Sequence, residues 1–239
     1  MKIAYDGTNF SGWQIQKNKR TIQGEIEKAI TAVFKSKSKI IIYGAGRTDS
    51  GVHSIGQIAH VDIDTKRDLG TIKKSINSKL DTDCKILMVK RVNDDFHARF
   101  DAKSREYIYQ CYSGESLLFK NQSWYTKDLN IAKLNFLADF IKGDHDFLSY
   151  SKFNPQTKNS ICKIYRCKWV RERDMVILKI KSNRFLHHMI RYLVGTMVHI
   201  LTYNKPHNVL LDLLNNPKIK VRLFKAPAQV LILTKVNYV

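Results

Sequence analysis

Segments with the apolar period of a helix alternate along the whole chain with shorter runs that have the period of a strand. This alternation constrains the fold more than any other feature. Some strand-like runs follow each other directly, and others are separated by helical segments. Because that order is typical of α+β proteins, we expect a largely antiparallel, mixed sheet flanked by helices.

Helical periodicity is clearest near the N-terminus. Isoleucine stands at every fourth position of the stretch 22–30, directly after Thr21. This spacing predicts a helix over 21–34 with Thr21 as its N-cap. Similar spacing predicts further helices at 69–80, 131–141, 184–201 and 206–214.

Strand periodicity is clearest in the second half of the chain. Residues 105–112 alternate, with Tyr107 on the more apolar face. Residues 161–170 and 175–182 are predicted strands joined by a short charged turn, which favours a β-hairpin. Further strands are predicted at 40–43, 59–63, 86–89 and 229–236.

The chain is expected to divide near residues 98–104 into an N-terminal α/β half, 1–100, and a C-terminal α/β half, 101–239. No linker rich in Gly, Pro or Ser marks this division. The two halves are therefore expected to share a sheet or a tight interface.

A large positive charge favours a polyanion as partner. The 239 residues contain 41 Lys and Arg against 21 Asp and Glu, which gives a formal net charge of +20. The excess is spread over both halves, as in a folded basic surface that binds nucleic acid. The alternative is a lysine-rich organism whose proteins are all basic. No apolar run is long enough to span a membrane, and no isolated basic amphipathic segment favours a membrane surface.

The four cysteines lack the spacing of a metal or disulfide framework. Cys162 and Cys167 are five positions apart in a strand-like run, and this odd spacing is expected to place them on opposite faces. They are then unable to bind one metal ion together. Reduced, buried thiols in a cytoplasmic protein are expected.

The glycine-rich segment 43–57 carries the clearest chemical signal. It lacks a helical period and lies between two predicted strands, where loops commonly hold functional sites. It is not a dinucleotide fingerprint, because Asp49 stands where the third glycine belongs, and it has no Gly-Lys-Ser/Thr of a P-loop. What remains is Asp49 two residues after Arg47. In extended backbone these two side chains share a face.

Arg47 can hold an RNA phosphate beside Asp49, or pair with Asp49 itself. A neighbouring arginine keeps a carboxylate ionised, and an ionised carboxylate in a basic site can attack a sugar or base carbon. Taken alone, the pattern also fits a turn capped by Asp49 beside a surface arginine.

The predicted helix 184–201 carries two stripes at helical spacing. The apolar stripe is Leu186, Ile190, Leu193, Met197 and Ile200. The second stripe is Arg184, His188, Arg191, Gly195 and His199. A basic stripe with a small glycine suits the close approach of another backbone or an RNA strand, and a solvated helix face is the alternative. His187 and His188 are neighbours in sequence and are expected not to share a face, so no metal site is predicted there.

The residues Gly46–His53, with Gly56 and Gln57, resemble the signature of the TruA family of tRNA pseudouridine synthases. Further blocks extend the resemblance, in the family's order, over nearly the whole chain: Tyr5–Gly7 with Gly12–Gln14, Asp95–Phe100 with Ala102 and Arg105–Tyr109, Gly143–Phe147, Asn183–Arg191 with Val194 and Gly195, and Ala226–Ala228. Two positions depart from the pattern. Asp81 stands where the family usually has proline, and Val230 stands where it usually has glycine. These differences are expected to affect loop shape and the fit of the substrate at the edge of its binding pocket.

The resemblance implies the pseudouridine synthase fold, with two halves around a central cleft. It implies an isomerase that detaches uracil from its ribose, turns it and rejoins it through carbon 5, with no cofactor and no metal. By resemblance, Asp49 is the nucleophile and Tyr107 stacks on the target base, whereas Tyr107 alone would be taken for a core tyrosine. Arg191 matches the basic residue that pairs with the nucleophile. Attack on the sugar and a glycal-type route both stay open.

The implied substrate is tRNA, at uridines 38 to 40 of the anticodon stem-loop, bound by a cytoplasmic homodimer in which one tRNA bridges both subunits. The C-terminal half is expected to supply dimer contacts. An A-form stem is recognised by shape and phosphates, and the target base must be flipped out at a cost of about a few kcal/mol. The candidate RNA-binding residues are Arg47, His53, Arg99, Tyr107, Arg184 and His188.

Two other functions are weighed against this one. A catalytically silent RNA-binding module or RNA chaperone of the same fold is expected to have lost Asp49. A nuclease or glycosidase requires a second carboxylate, and usually a metal for phosphodiesters. Asp6 and Asp146 are the other acids considered, and both suit caps or turns.

Overall fold

The computed structural model describes residues 1–114, 119, 122–127, 129–155 and 159–239. Within these residues the chain forms ten strands and five helices. In chain order they are β1 (Lys2–Tyr5), α1 (Ile22–Phe34), β2 (Tyr43–Gly44), β3 (His53–His60), α2 (Leu69–Asn77), β4 (Cys84–Met88), β5 (Ser104–Tyr112), β6 (Trp124–Tyr125), α3 (Ile131–Phe140), β7 (Gly143–Asp146), β8 (Ile161–Glu172), β9 (Met175–Ser182), α4 (Met189–Thr202), α5 (Asn208–Asn215) and β10 (Leu231–Asn237). Most strand pairs are antiparallel, which confirms the expected α+β class.

The chain forms two compact units. The first comprises Met1–Lys103 and Ile232–Val239, and the second comprises Ser104–Leu231. The sequence prediction assigned all of 101–239 to the second half, whereas β10 pairs in parallel with β3 of the first unit. Gly56 of β3 permits this, because a Cβ there would lie 2.0 Å from the carbonyl oxygen of Thr234.

The first unit is built on strands in the order β4-β1-β3-β10, with β2 paired to β3. Helix α1 buries Ile22, Ile26 and Ile30 completely in the core of this unit. Each such burial stabilises the fold by about 1.5–3 kcal/mol relative to an exposed side chain. Thr21 accepts a hydrogen bond from the backbone of Gly24, which confirms the predicted N-cap.

One predicted strand of this unit is largely absent. Residues 40–43 were expected to form a buried strand, but β2 begins only at Tyr43, and Ile41 is half exposed. The backbone of Ile42 is bonded to two side chains of α1 instead of to a strand. Glu27 accepts from its N–H at 3.1 Å, and Gln23 donates to its carbonyl at 3.2 Å. Strand β3 ends at His60, so the predicted strand over 59–63 is wrong beyond that residue.

The second unit has strands in the order β5-β9-β8-β7, with β6 paired in parallel to β5. Strands β8 and β9 form the predicted hairpin, and the pair Glu172–Met175 closes it around Arg173 and Asp174. Arg173 adopts a positive φ of 57° in this tight turn. Among the described residues the longest helix is α4, and at 14 residues it is shorter than a bilayer crossing requires.

Strand β8 contains a register shift between Ile164 and Arg166 that changes which side chains are buried. Cys162 and Cys167 are consequently both buried, so the expectation that an odd spacing separates them is wrong. Burial raises the pKa of the Cys162 thiol to about 11 and that of the Cys167 thiol to about 12. Both therefore stay protonated at neutral pH, a state that disfavours metal binding. All four cysteines are buried free thiols, as expected.

Candidate active site

Asp49 lies in the loop that joins β2 to β3. Arg47 is exposed, Thr48 is buried and Asp49 is partly exposed. This alternation agrees with the extended backbone predicted for the loop, in which Arg47 and Asp49 share a face. Asp49 is therefore partly accessible on a loop whose preceding residue, Thr48, is anchored inside the unit.

A tight turn fixes the backbone directly after Asp49. The N–H of Val52 donates to the carbonyl of Asp49 at 3.2 Å, and Gly51 takes the positive φ of 81° that the turn requires. The hydroxyl of Ser50 donates to the carbonyl of Phe10 at 3.1 Å. The loop is thus held both by its own turn and by the segment that follows β1.

His53, predicted to bind RNA, is half-buried against that same segment. Its Nδ1 accepts a hydrogen bond from the N–H of Gly7 at 3.1 Å and lies 3.1 Å from Oδ1 of Asp6. Partial burial acts to raise the pKa of Asp6, but the hydrogen bonds from the hydroxyl and the backbone of Thr8 outweigh it and lower that pKa. Asp6 is therefore an ionised turn residue, in agreement with the turn-forming role expected from the sequence.

Arg99 lies on an exposed turn of the first unit. Nδ1 of His60 accepts from the N–H of Ala98 at 3.1 Å, and Nδ1 of His97 accepts from the N–H of Arg99 at 3.1 Å. Burial lowers the pKa of His60, and the neighbouring His97 lowers it further, which favours the neutral form that can accept at Nδ1. The Arg99 guanidinium lies 5.8 Å from the ring centroid of Phe100, which is 75% exposed. The turn therefore presents a cation and an aromatic ring to solvent.

Tyr107 lies in the middle of β5, in the second unit. It pairs with Ile180 of β9 and is 9% exposed. Phe185 packs edge-on against its ring, with centroids 5.3 Å apart at 86°. The position of the tyrosine ring is therefore set by a strand on one side and by an aromatic neighbour on the other.

Arg191 lies in the first turn of α4 and is bound to the Ala226 backbone at two points. Its Nε donates to the carbonyl of Ala226 at 2.8 Å, and the N–H of Ala226 donates to the carbonyl of Arg191 at 3.1 Å. Gly195 lets this segment cross the helix closely, because a Cβ there would lie 2.0 Å from the carbonyl oxygen of Phe224. In the sequence, Ala226 belongs to a block of the family resemblance and has no expected role of its own. The structure shows that the backbone of Ala226 orients the Arg191 guanidinium.

The predicted helix over 184–201 begins later than expected, so Arg184 and His188 do not belong to a helical stripe. Helix α4 starts at Met189, and His188 precedes it with a left-handed φ of 65°. The hydroxyl of Ser182 donates to the carbonyl of Arg184 at 2.6 Å, and Oδ1 of Asn183 accepts from the Arg184 N–H at 2.8 Å. These local bonds satisfy backbone groups that a helix would otherwise use.

The histidine pair outside the helix also differs from the expectation. The rings of His187 and His188 contact each other, with centroids 4.0 Å apart. The expectation that the two rings point to different faces was based on helical geometry and is wrong here. Arg184 is exposed and His188 is partly buried.

Comparison with known proteins agrees with these observations. The family model described as tRNA pseudouridine synthase matches residues 1–101 and 138–239. Proteins named tRNA pseudouridine synthase A from Borrelia turicatae and Borrelia hermsii are each 40% identical over 240 residues, covering 99% of this chain and 97% of the relative. The protein of that name from Brachyspira hyodysenteriae is 37% identical over 231 residues, covering 95% of this chain and 92% of the relative. The family resemblance drawn from the sequence is confirmed: the chain belongs to the tRNA pseudouridine synthases.

Proposed function

We propose that this enzyme converts uridine to pseudouridine at positions 38 to 40 of the tRNA anticodon stem-loop, with Asp49 as nucleophile and without a cofactor. The observation that carries the proposal is the geometry of Asp49. The residue is partly exposed on a fixed loop, two positions after the exposed Arg47, within a segment that matches the family signature. An anchored, accessible carboxylate beside a cation is suited to attack an extruded nucleoside.

The reaction rearranges one nucleoside. The bond between N1 of uracil and C1′ of ribose breaks, a bond between C5 and C1′ forms, C5 loses a proton and N1 gains one. Substrate and product contain the same atoms, so no oxidant, reductant or second substrate is consumed. The Asp49 carboxylate starts either open route. It attacks C1′ as the bond to N1 breaks, or it takes the C2′ proton as that bond breaks, which leaves a glycal-type intermediate, and the proton returns to C2′ when C5 bonds to C1′.

The other candidate residues are given roles that fit their surroundings. Tyr107, held edge-on by Phe185, stacks on the extruded base and is the candidate to move a proton. Arg191, oriented by Ala226, supplies a fixed positive charge to pair with the nucleophile, as the family resemblance implies. The proposed RNA contacts are Arg47, His53, Arg99, Arg184 and His188. A cytoplasmic homodimer, with one tRNA bridging both subunits, completes the proposal on the strength of the family resemblance.

Mapping of pseudouridine in tRNA tests the proposed activity and its position. We expect purified enzyme, incubated with a transcript that carries uridine at 38, 39 and 40, to produce carbodiimide-dependent stops of reverse transcription directly 3′ of those positions. Transcripts with cytidine at the three positions are the matched control and should give no such stops. Stops elsewhere in the tRNA would contradict the anticodon assignment. Absence of pseudouridine with retained tRNA binding would favour a catalytically silent RNA-binding module.

The replacement Tyr107→Phe tests the role of the tyrosine hydroxyl. We expect kcat to fall about a hundredfold, in the range typical for loss of a proton-transferring group, while the Kd for tRNA changes by less than about twofold. The measurement is single-turnover pseudouridine formation beside a binding titration. Tyr150→Phe is the matched control, because Tyr150 is also buried and its hydroxyl donates to the carbonyl of Leu210 at 3.0 Å. A wild-type rate for Tyr107→Phe would exclude the proton-transfer role and leave to Tyr107 only the packing of its ring.

A further inference from the structure

Strand β1 and the segment between β1 and α1 both contact the loop of Asp49, and the contact from β1 is a buried hydroxyl pair. The hydroxyl of Tyr5 lies 2.9 Å from Oγ1 of Thr48, and the two residues are only 4% and 8% exposed. The N–H of Trp13 donates to the carbonyl of Thr48 at 3.1 Å. Thr48, the residue directly before Asp49, is therefore bonded through both its side chain and its backbone.

The same segment approaches the loop too closely for any side chain to intervene. Gly12 has a φ of 86°, and a Cβ at this position would lie 2.6 Å from the Thr48 carbonyl oxygen and 3.1 Å from the Asp49 carbonyl carbon. A Cβ on Gly44 would likewise lie 2.6 Å from the Trp13 ring. The backbone on both sides of Arg47 is therefore packed against residues 12 and 13.

This segment is itself anchored to the core of the first unit. The carbonyl of Trp13 accepts from the N–H of Gln23 at 3.1 Å, and Gln23 also donates to the carbonyl of Ile42 at 3.2 Å. Trp13 is almost completely buried. Displacement of Thr48 thus requires displacement of groups that are fixed to α1.

We infer that Tyr5 is a positioning residue for the reaction, which holds Asp49 in its productive orientation through the hydroxyl of Thr48. The inference rests on the proposed role of Asp49 as nucleophile. Tyr5 is buried behind Thr48 and does not present its hydroxyl to substrate, so its effect is on geometry. Burial raises the pKa of Tyr5 far above its ordinary value, so it stays a neutral hydrogen-bonding group across the assay range. A misplacement of about 1 Å at a reacting group lowers the rate by about a hundredfold, so a small shift of Thr48 has a measurable effect.

Hydroxyl deletions on each side of the contact test this inference. We expect Tyr5→Phe and Thr48→Val each to lower kcat by about tenfold or more, with Kd for tRNA unchanged within about twofold. The double variant is expected to be no slower than the slower single variant, because both changes remove the same contact. Thr48→Ser keeps the hydroxyl and is expected to recover most of the rate. Tyr150→Phe, which removes an equally buried hydroxyl in the second unit, is expected to keep the wild-type kcat.

Rates are compared at a temperature where circular dichroism shows that every variant is folded. A lower rate is then not caused by partial unfolding of the variant. A wild-type kcat for Tyr5→Phe and Thr48→Val, multiplicative losses in the double variant, or a loss confined to tRNA affinity would each overturn the inference. Asp49→Asn, measured in parallel, separates the two proposals. If Asp49→Asn is inactive while Tyr5→Phe is fully active, the positioning role alone fails. If Asp49→Asn turns over normally, the proposed nucleophile fails.

Discussion

Replacement of Asp49 by asparagine is expected to abolish pseudouridine formation, with a loss in kcat of at least about a thousandfold. The amide has nearly the shape of the carboxylate but is a poor nucleophile and carries no charge. The turn that follows Asp49 uses its backbone carbonyl, which the replacement leaves intact. The loop should therefore keep its conformation while its chemistry is lost.

Affinity for tRNA is expected to stay within about twofold of wild type, because the contacts with phosphates are made by cations that remain. Turnover is measured as release of tritium from tRNA labelled at C5 of uridine, and binding is measured by titration of the same tRNA. Asp94→Asn removes one negative charge from another exposed position of the first unit and is the matched control for charge. Asp49→Ala excludes slow conversion of asparagine back to aspartate as a source of residual rate. Turnover near wild type in either Asp49 variant would refute the assignment.

Elements set by short-range pattern were predictable from the sequence. Helix α1 and its Thr21 cap follow from isoleucines at helical spacing, and the β8–β9 hairpin follows from two alternating runs around a charged turn. The burial of Tyr107 on one face of β5 follows from alternation alone. In each case the residues that decide the structure lie within a few positions of one another.

Elements set by distant contacts were not predictable. Residues 40–43 have the composition of a strand, but side chains from α1 bind the backbone of Ile42. Arg184 lies before α4, where the side chains of Ser182 and Asn183 bond its backbone, and a periodic pattern does not reveal such bonds. The register shift in β8 reverses the expected facing of Cys162 and Cys167, since one extra residue exchanges the two faces of a strand.

The same distinction applies to the candidate site. The family signature in the sequence includes Asp49, and the catalytic role of Asp49 stays a proposal. The residues Tyr5–Gly7 with Gly12–Gln14 matched a family block, but nothing in the sequence assigned them a role, because Tyr5 and Thr48 are 43 positions apart. The only local signal was a pair of glycines in this segment, Gly7 and Gly12. A Cβ at either would meet the backbone of the Asp49 loop.

Binding of tRNA is expected to weaken steeply with salt. The chain carries a net charge of +20, and each phosphate that a Lys or Arg neutralises releases bound counterions. With about six to ten phosphate contacts, affinity should fall by about 10³–10⁵ between about 50 and 200 mM monovalent salt. Fluorescence anisotropy with labelled tRNA over this range gives the slope of log Kd against log salt concentration, which reports the number of phosphates contacted.

Removal of single positive charges tests which residues contribute to this slope. Arg47→Gln and Arg99→Gln are each expected to weaken binding and to reduce the slope by about one contact, because both side chains are exposed cations. Lys28→Gln is the control. Lys28 is exposed too, but its ammonium pairs with Glu25 at 3.0 Å and it is not among the proposed RNA contacts. An unchanged slope in both arginine variants would remove Arg47 and Arg99 from the RNA-binding surface. A flat salt dependence of the wild-type enzyme would mean that the positive charge reflects a basic composition and not a surface for RNA.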